Sequence, residues 1–352
     1  MRKLRAISAI LFVSVLALPL FSQVGAPANR DVTVMTRNLY LGTDLTPVIV
    51  SPDPVTAEAV FANVFTTDYP ARAVALADEI DATRPALIGL QEAVIWRTQT
   101  PGDLLLGVFA PNATDVVFDL LQSLLDELAI RGLHYAPVVI GMGLDVEVPG
   151  FGRDIRLTDR EVILARTDLK VAEMKLSNPQ AALFTNVLAV PGPLGPLQVL
   201  RGWASIDMKV RGKTFRFVTS HLEVIEPNVQ LAQANELLQG PASTSLPVVL
   251  LGDFNSAASG TGTASYGQIV GAGFVDTWSA VNPLDPGFTC CQNELLDNAV
   301  STLFERIDIV FIRGRIDTLA AERVGHLPVA LGPNLHWASD HAGVTATLRI
   351  LP

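Results

Sequence analysis

Short apolar runs that open or close on a polar side chain recur along the whole chain. Asp31–Thr36 alternates in the manner of a half-buried strand and ends at Arg37-Asn38. Ala86–Leu90 reads as a buried strand delivering Gln91-Glu92, and Pro247–Leu251 as another delivering Gly252-Asp253-Phe254-Asn255, with Gly252 expected to let the backbone turn. Ala204–Val210, the turn Arg211-Gly212-Lys213 and Thr214–Thr219 predict a hairpin whose second strand ends at Ser220-His221. In the last third the order reverses: Asp308 precedes most of its apolar run, and Ser339-Asp340-His341 opens a terminal strand over 342–350.

Helical spacing appears between these runs. Ala73, Val74, Ala77 and Ile80 predict a helix over 70–83 that Arg84-Pro85 stops. Val116, Val117, Leu120, Leu121, Leu124, Leu125 and Leu128 mark one face of an amphipathic helix, and Leu231, Ala234, Leu237 and Leu238 mark another over 228–239. Residues 39–69 read as loop and short helix with Pro47, Pro52 and Pro54 as breakers, and 97–113 as loop. Strands are expected at 135–140 and from Asp159 into 162–165, joined by a glycine-rich connection over 141–152. The stretch 183–200 reads as strand, turn and strand around Pro191–Pro196.

Each polar terminus has a plain reading by itself. Gly-Asp followed by Asn is ordinary turn chemistry, Glu92 a solvated strand end, His221 a satisfied structural histidine, and Arg160 a surface partner of Asp159 or Glu161. Strands of mixed direction, however, bring Asn38, Glu92, His221, Asp253, Asp308 and Asp340-His341 to one sheet edge. Converging carboxylates repel, and a divalent cation with oxygen ligands, most plausibly Mg²⁺, relieves the repulsion. Two histidines add proton-transfer groups that titrate near working pH.

Composition narrows the setting. With 352 residues, 49% hydrophobic and 17% charged, the chain buries a sizeable core and is not disordered. No repeat or linker divides residues 27–352, which are expected to form a single domain. Residues 1–26 carry Arg2, Lys3 and Arg5, the apolar run Ile7–Phe21 and then Val24-Gly25-Ala26, the pattern of a cleaved secretory signal. The mature chain is therefore expected to be secreted or periplasmic, monomeric and without a stable membrane anchor. Cleavage moves the net charge from −10 to about −13, since it removes three cations and no acid. Such a surface does not concentrate polyanions, so action on nucleic acid or anionic lipid needs local basic groups or a bridging cation. Cys290 and Cys291 are adjacent; a bond between them would be strained, and a loop role is expected rather than a framework, redox or metal role.

The set Asn38, Gln91-Glu92, Ser220-His221, Gly252-Asp253-Phe254-Asn255, Arg306-Ile307-Asp308 and Ser339-Asp340-His341 resembles, in order and across nearly the whole mature chain, the endonuclease/exonuclease/phosphatase superfamily with its deoxyribonuclease I-like fold. The resemblance implies an α/β four-layer sandwich, two packed mixed β-sheets flanked by helices, and Mg²⁺-dependent (or Mn²⁺-dependent) phosphoester cleavage by in-line attack of water. It implies a metal environment of Asn38, Glu92 and Asp340 and catalytic roles for His221, Asp253, Asn255, Asp308 and His341. Glu92 matches the metal-binding glutamate, and His341, oriented by Asp308, the general base or phosphate-steadying histidine. Asp253 would position or activate the water, Asn255 would hold it or a phosphoryl oxygen, and His221 would aid the leaving group or bind phosphate. Tyr40 stands where some members carry a second acid, which favours one cation over two. The substrate implied is nucleic acid in a nuclease-like reaction or, alternatively, a phospholipid or sphingolipid head group in a sphingomyelinase- or inositol-phosphatase-like one, with 183–200 as a candidate membrane-touching hairpin. A binding protein on an inactive scaffold fits less well, because every expected catalytic residue type is present.

Overall fold

The computed structural model describes residues 30–170, 173–191 and 197–352; the leader 1–26 and the turn residues 192–196 lie outside them. The strands are β1 (Asp31–Asn38), β2 (Leu87–Gln91), β3 (Ile95–Gln99), β4 (Asp115–Asp119), β5 (Tyr135–Pro149), β6 (Asp154–Arg166), β7 (Lys175–Leu183), β8 (Leu188–Val190), β9 (Leu197–Val199), β10 (Gly202–Val210), β11 (Lys213–His221), β12 (Val248–Asp253), β13 (Val275–Asp276), β14 (Asp308–Arg313), β15 (Ile316–Val324) and β16 (Gly343–Ile350). The helices are α1 (Thr46–Val50), α2 (Pro54–Thr66), α3 (Tyr69–Thr83), α4 (Leu120–Ile130), α5 (Pro227–Gln239), α6 (Ser265–Gly271) and α7 (Thr277–Val281).

Two mixed sheets result. The first runs β15-β16-β1-β2-β6-β3-β4 with β5 also paired to β6; the second runs β13-β14-β12-β11-β10-β7. Val34, Leu87 and Ile163 of the first sheet and Phe217, Val249, Leu251 and Val310 of the second share one buried apolar core. The outer face of the first sheet carries α2, α3 and α4 through Phe61, Leu76, Ile80, Leu120 and Leu124. The outer face of the second carries α5 and α6 through Ala234, Leu237 and Ile269, which meet Val218, Leu250 and Phe311. This is the expected four-layer sandwich. It explains why Val248–Leu251 is apolar without interruption: Val249 and Leu251 point to the inter-sheet core and Leu250 to the helices, so both faces are covered.

Local departures from the sequence reading have local causes. Pro47 and Pro54 do not break helices but occupy their first turns, where a missing N–H costs nothing, and the Asp53 carboxylate caps α2 by accepting from the Val55 and Thr56 amides. Val116 and Val117 belong to β4; the helix starts only at Leu120, after Asp119 caps it through the Gln122 amide. The glycine-rich stretch from 141 stays in β5 as far as Pro149, because β6 offers it a partner throughout.

Candidate active site

Strand direction assembles the site. β1 and β2 are parallel with Asn38 opposite Gln91, and β16 is antiparallel to β1, so Asn38, Glu92 and Asp340-His341 meet at one edge of the first sheet. β11 and β12 are parallel with His221 opposite Asp253, and β14 is antiparallel with Asp308 opposite Asp253. The two edges coincide because the sheets are tied there: the Gln91 amide donates to Thr219 Oγ1 at 2.9 Å and accepts from Thr36 Oγ1 at 3.1 Å. A side chain at Gly89 would meet Leu251 and Thr219 at 2.4 Å, so glycine is required where the sheets close on each other. Gly252 makes no turn. It stays in β12 at φ +148°, with Ser220 O only 1.9 Å from where a Cβ would lie, and the chain turns at Asn255, φ +48°. Glu92 also holds a left-handed φ of +54°, fixed as its Oε2 accepts from the Leu41 amide at 2.8 Å; such conformations persist where the surroundings over-determine them.

Two buried arginines fasten the same edge. Arg37 pairs with Glu79 at 2.8 Å and donates to His341 O, while Arg72 donates to Leu39 O, Tyr40 O, Thr67 O and Ala338 O. The chain on either side of Asn38 and just before Asp340 is therefore pinned by charge-assisted bonds.

Glu92, His221, Asp253, Asn255, Asp340 and His341 line a cleft of about 430 Å³, and Asn38 and Asp308 are buried outside its lining. Asp253 Oδ2 sits between the histidines, 3.5 Å from His221 Nε2 and 3.8 Å from His341 Nε2, and accepts from Asn38 Nδ2 at 3.1 Å. His341 Nδ1 is 2.8 Å from Asp308 Oδ2, and its Nε2 is 4.0 Å from Asp340 Oδ1. His221 Nδ1 is 2.8 Å from an Arg201 guanidinium nitrogen, and the Asn255 amide lies 3.1 Å from its Nε2. An arginine only donates, so Nδ1 of His221 accepts and the neutral ring carries its proton on Nε2; Asp253 Oδ2 at 3.5 Å is the acceptor it faces, while Asn255 Nδ2 beside it is itself a donor and gives its hydrogen bond to Leu222 O at 3.0 Å. Burial, Arg201 and His341 hold His221 well below the usual imidazole range. Burial works against the charged form of His341 too, but the Asp308, Asp340 and Asp253 carboxylates overcome it and hold the ring well above that range. Burial and the negative Asp308 push Asp253 up to about 6; burial, with Glu92 and Asp308, pushes Asp340 up to about 6.

The sequence model of the Endonuclease/Exonuclease/phosphatase family matches residues 60–341. The chain belongs to that family. Three solved structures share the fold. A family protein from Bacteroides thetaiotaomicron is 16% identical, TM-score 0.56, with 92% of this chain and 98% of that one covered. A mannosyl-6-phosphatase from Bacteroides thetaiotaomicron VPI-5482 is 16% identical, TM-score 0.54, covering 90% and 99%. An endonuclease/exonuclease/phosphatase from Beutenbergia cavernae DSM 12333 is 21% identical, TM-score 0.55, covering 91% and 72%. No curated protein matches the sequence.

For an endonuclease/exonuclease/phosphatase site the donor set fits a hard divalent cation. Glu92 and Asp340 supply carboxylates at the cleft, burial raises both above their ordinary range, and Asp308 Oδ1 is buried without a hydrogen-bond partner. Asn38 behaves differently from a simple ligand: its Oδ1 accepts from the Tyr40 amide and its Nδ2 bridges Glu92 and Asp253. Tyr40 is buried with its hydroxyl donated to Glu294 O, and burial, Asp340 and Glu294 raise its pKa, so it adds no second acid.

Sequence reasoning missed part of the cleft. Arg201, Asp159, Glu161 and Glu223 are charged groups at or beside it: Arg201 lies 3.5 Å from Asp159, and Asp159, Glu161 and His221 have ligand atoms within 4.8 Å of one another. The available signal was three charges inside a strand, Asp159-Arg160-Glu161, buried on both sheet faces. Arg160 is likewise no surface partner of Asp159 or Glu161; its guanidinium pairs with Asp119 at 2.6 Å and bonds Ala93 O. Cys290 and Cys291, expected to be a loop feature and no disulfide framework, are bonded to each other and sit at the cleft, where both sulfurs and a His341 ring nitrogen lie within 4.8 Å of one another.

Proposed function

We propose that the protein is an exported phosphoesterase that uses one divalent cation, Mg²⁺ or in its place Mn²⁺, to cleave a phosphodiester by in-line attack of water. The observation that carries the proposal is Asp253, held at about 6 between two histidines that offer Nε2–H donors of different charge. Asp253 takes the proton of the attacking water. His341, charged and kept so by Asp308, donates to a phosphoryl or departing oxygen; His221, neutral, donates without adding charge. Asn255 holds the water or a phosphoryl oxygen. The cation, held by Glu92 and Asp340 with Asn38 behind them, would supply charge to the equatorial oxygens. Residues 1–26 serve as the export signal and 27–352 as one catalytic domain, working as a monomer in the periplasm or outside the cell. The shared core between the sheets supports the single domain.

The nuclease-like reading leads. The lipid-directed reading is favoured by Val224 and Ile225, which follow His221 closely, line the cleft and are 56% and 52% exposed, an apolar lip that a polyanion does not need. No described helix is long and apolar enough to cross a membrane, so contact with lipid would be peripheral. The test is turnover of plasmid DNA, RNA, sphingomyelin, inositol phosphates, a sugar 6-phosphate and a generic phosphodiester, with Mg²⁺ and with EDTA, beside Asp253→Asn. EDTA-sensitive cleavage of a diester, absent in the variant, is the expected result. Turnover confined to a monoester overturns the diester reading, and turnover that survives EDTA overturns the cation.

A further inference from the structure

Cys290 and Cys291 line the cleft without any part in the chemistry derived above. Their backbone is a strap laid along residues 340–342: the Ala342 amide donates to Thr289 O at 2.7 Å and the Gln292 amide to Asp340 O at 2.8 Å. The strap is also held by residues 304–305, where the Phe304 amide donates to Cys290 O at 2.7 Å and the Cys290 amide to Glu305 O at 3.0 Å. Thr289 Oγ1 accepts from the Ile307 and Asp308 amides, both at 3.2 Å. These bonds are made by backbone groups and one hydroxyl, so they keep both cysteines beside His341 whether or not the sulfurs are joined.

The two sulfurs and a ring nitrogen of His341 lie within 4.8 Å of one another. As a disulfide the pair offers a metal almost nothing, because the thiolate is the ligand. Opened by a dithiol, the same pair supplies two thiolates next to an imidazole. The step balances: a thiolate of the dithiol attacks one sulfur, its second thiol resolves the mixed disulfide, and two electrons and two protons pass to the cysteines as the dithiol leaves oxidised. Access is from the cleft, which both residues line, Cys290 buried and Cys291 half-buried. Two sulfurs and one imidazole suit Zn²⁺ and not Mg²⁺, which keeps to oxygen ligands, and a water completes the tetrahedron of an open zinc site.

We propose that Cys290, Cys291 and His341 form a redox-gated site for zinc or a similarly thiophilic divalent cation, closed to metal while the disulfide stands and filled, with loss of turnover, once a dithiol has reduced it. Binding releases the two thiol protons and one ring proton to solvent, so the metal stands where His341 would carry the proton it donates. The disulfide is then the active form, and it is the form that persists in an oxidising compartment outside the cytosol. The loss of turnover rests on the phosphoesterase reading of His341; the uptake of metal does not. This adds a redox and metal role to the loop role that the sequence suggests for the pair.

The experiment uses the mature protein freed of metal, returned to millimolar Mg²⁺, and given ZnCl₂ or CdCl₂ before and after a phosphine reductant, which competes less for these ions than a dithiol does. Zinc retained after gel filtration, the ultraviolet charge-transfer band of Cd²⁺ on thiolate, and turnover are followed together. The reduced protein should retain about one equivalent of zinc, show the band and lose turnover by at least about tenfold, and the oxidised protein should do none of these. Cys290→Ser and Cys291→Ser should abolish the reductant-dependent uptake. Cys291 is half-buried at the cleft, so its variant provides a folded protein even where the buried Cys290 does not. His341→Gln should keep the band and weaken zinc uptake by at least about tenfold, which two thiolates acting without the ring would not show. Equal uptake with and without reductant, no uptake after reduction, uptake that survives Cys291→Ser, or uptake unchanged in His341→Gln overturns the site. Zinc uptake by the reduced protein without inhibition overturns the control of turnover, and uptake by a protein inactive on every substrate supports the site while overturning the phosphoesterase reading.

Discussion

His341 and His221 are equally buried, at 6% and 2% exposure, and face the same Asp253 oxygen from opposite sheets. Burial alone disfavours the charged imidazole in both. Their neighbours decide the outcome: three carboxylates surround His341, and a guanidinium meets His221. The fold thus sets a charged donor and a neutral donor on the two sides of one carboxylate. Each ring is specified through its Nδ1 partner, Asp308 for one and Arg201 for the other.

The strongest way to break this comparison is to remove the charged member. His341→Gln should lower kcat by about 10²- to 10⁴-fold, measured on whichever substrate the panel identifies, because no other cationic donor faces Asp253 from that side. A loss as large in KM with kcat intact would make His341 a binding group only. Asp308→Asn leaves the ring in place but removes the carboxylate nearest to Nδ1. A drop of about 10- to 100-fold is expected, with the alkaline limb of the rate profile moving to lower pH as the His341 pKa falls. An unmoved limb would mean that Asp340 and Asp253 suffice.

Arg201→Gln acts on the other ring and should cost less than Asp308→Asn. Taking the guanidinium from Nδ1 lets the His221 pKa rise, so the acid limb should move to higher pH while the alkaline limb stays. Movement of both limbs together would show that the two rings titrate as one unit.

How much of this was readable in sequence follows the same division. Asn38, Glu92, His221, Asp253, Asp308 and His341 were legible because each stands at the end of an apolar run, and a run's end must fall at a sheet edge. Asp308 and His341 follow that rule in reverse, and antiparallel β14 and β16 return them to the same edge. Arg201 and Asp159 were not legible. Asp159 lies inside β6, where alternation predicts a core or solvent face and says nothing of a cleft, and Arg201 precedes β10 with no partner nearby in sequence. What they do depends on how the β6–β2 edge of one sheet sits over the β11–β10 edge of the other, and that follows from inter-sheet packing rather than from local pattern. Pro47 and Pro54 were misread for a related reason, since proline breaks a helix from within and starts one from its first turn.

The smallest effect, and the most specific to the comparison, is on stability without metal. The folded-state pKa of His341 is raised, so its contribution is fully present below about 6.5 and is lost as pH climbs through the folded value. His221 has a lowered folded value, so the folded state refuses a proton that the unfolded chain accepts, and its stability contribution is lost as pH falls below about 6.5. Urea unfolding in EDTA should therefore show the gap between parent and His341→Gln narrowing above pH 6.5, by up to about 1.4 kcal/mol per pH unit. Against His221→Gln the change should fall on the other side: below pH 6.5 the parent loses stability relative to the variant, with the same limiting slope. Gaps that are flat in both windows would mean that neither ring changes its proton affinity on folding, and the division of labour around Asp253 would then have to rest on geometry alone. Saturating Mg²⁺ sharpens the distinction, since a cation at Glu92 and Asp340 takes up part of the negative charge that sustains His341 while leaving Arg201 and His221 as they are. The upper window should shrink on adding Mg²⁺, and the lower one should not.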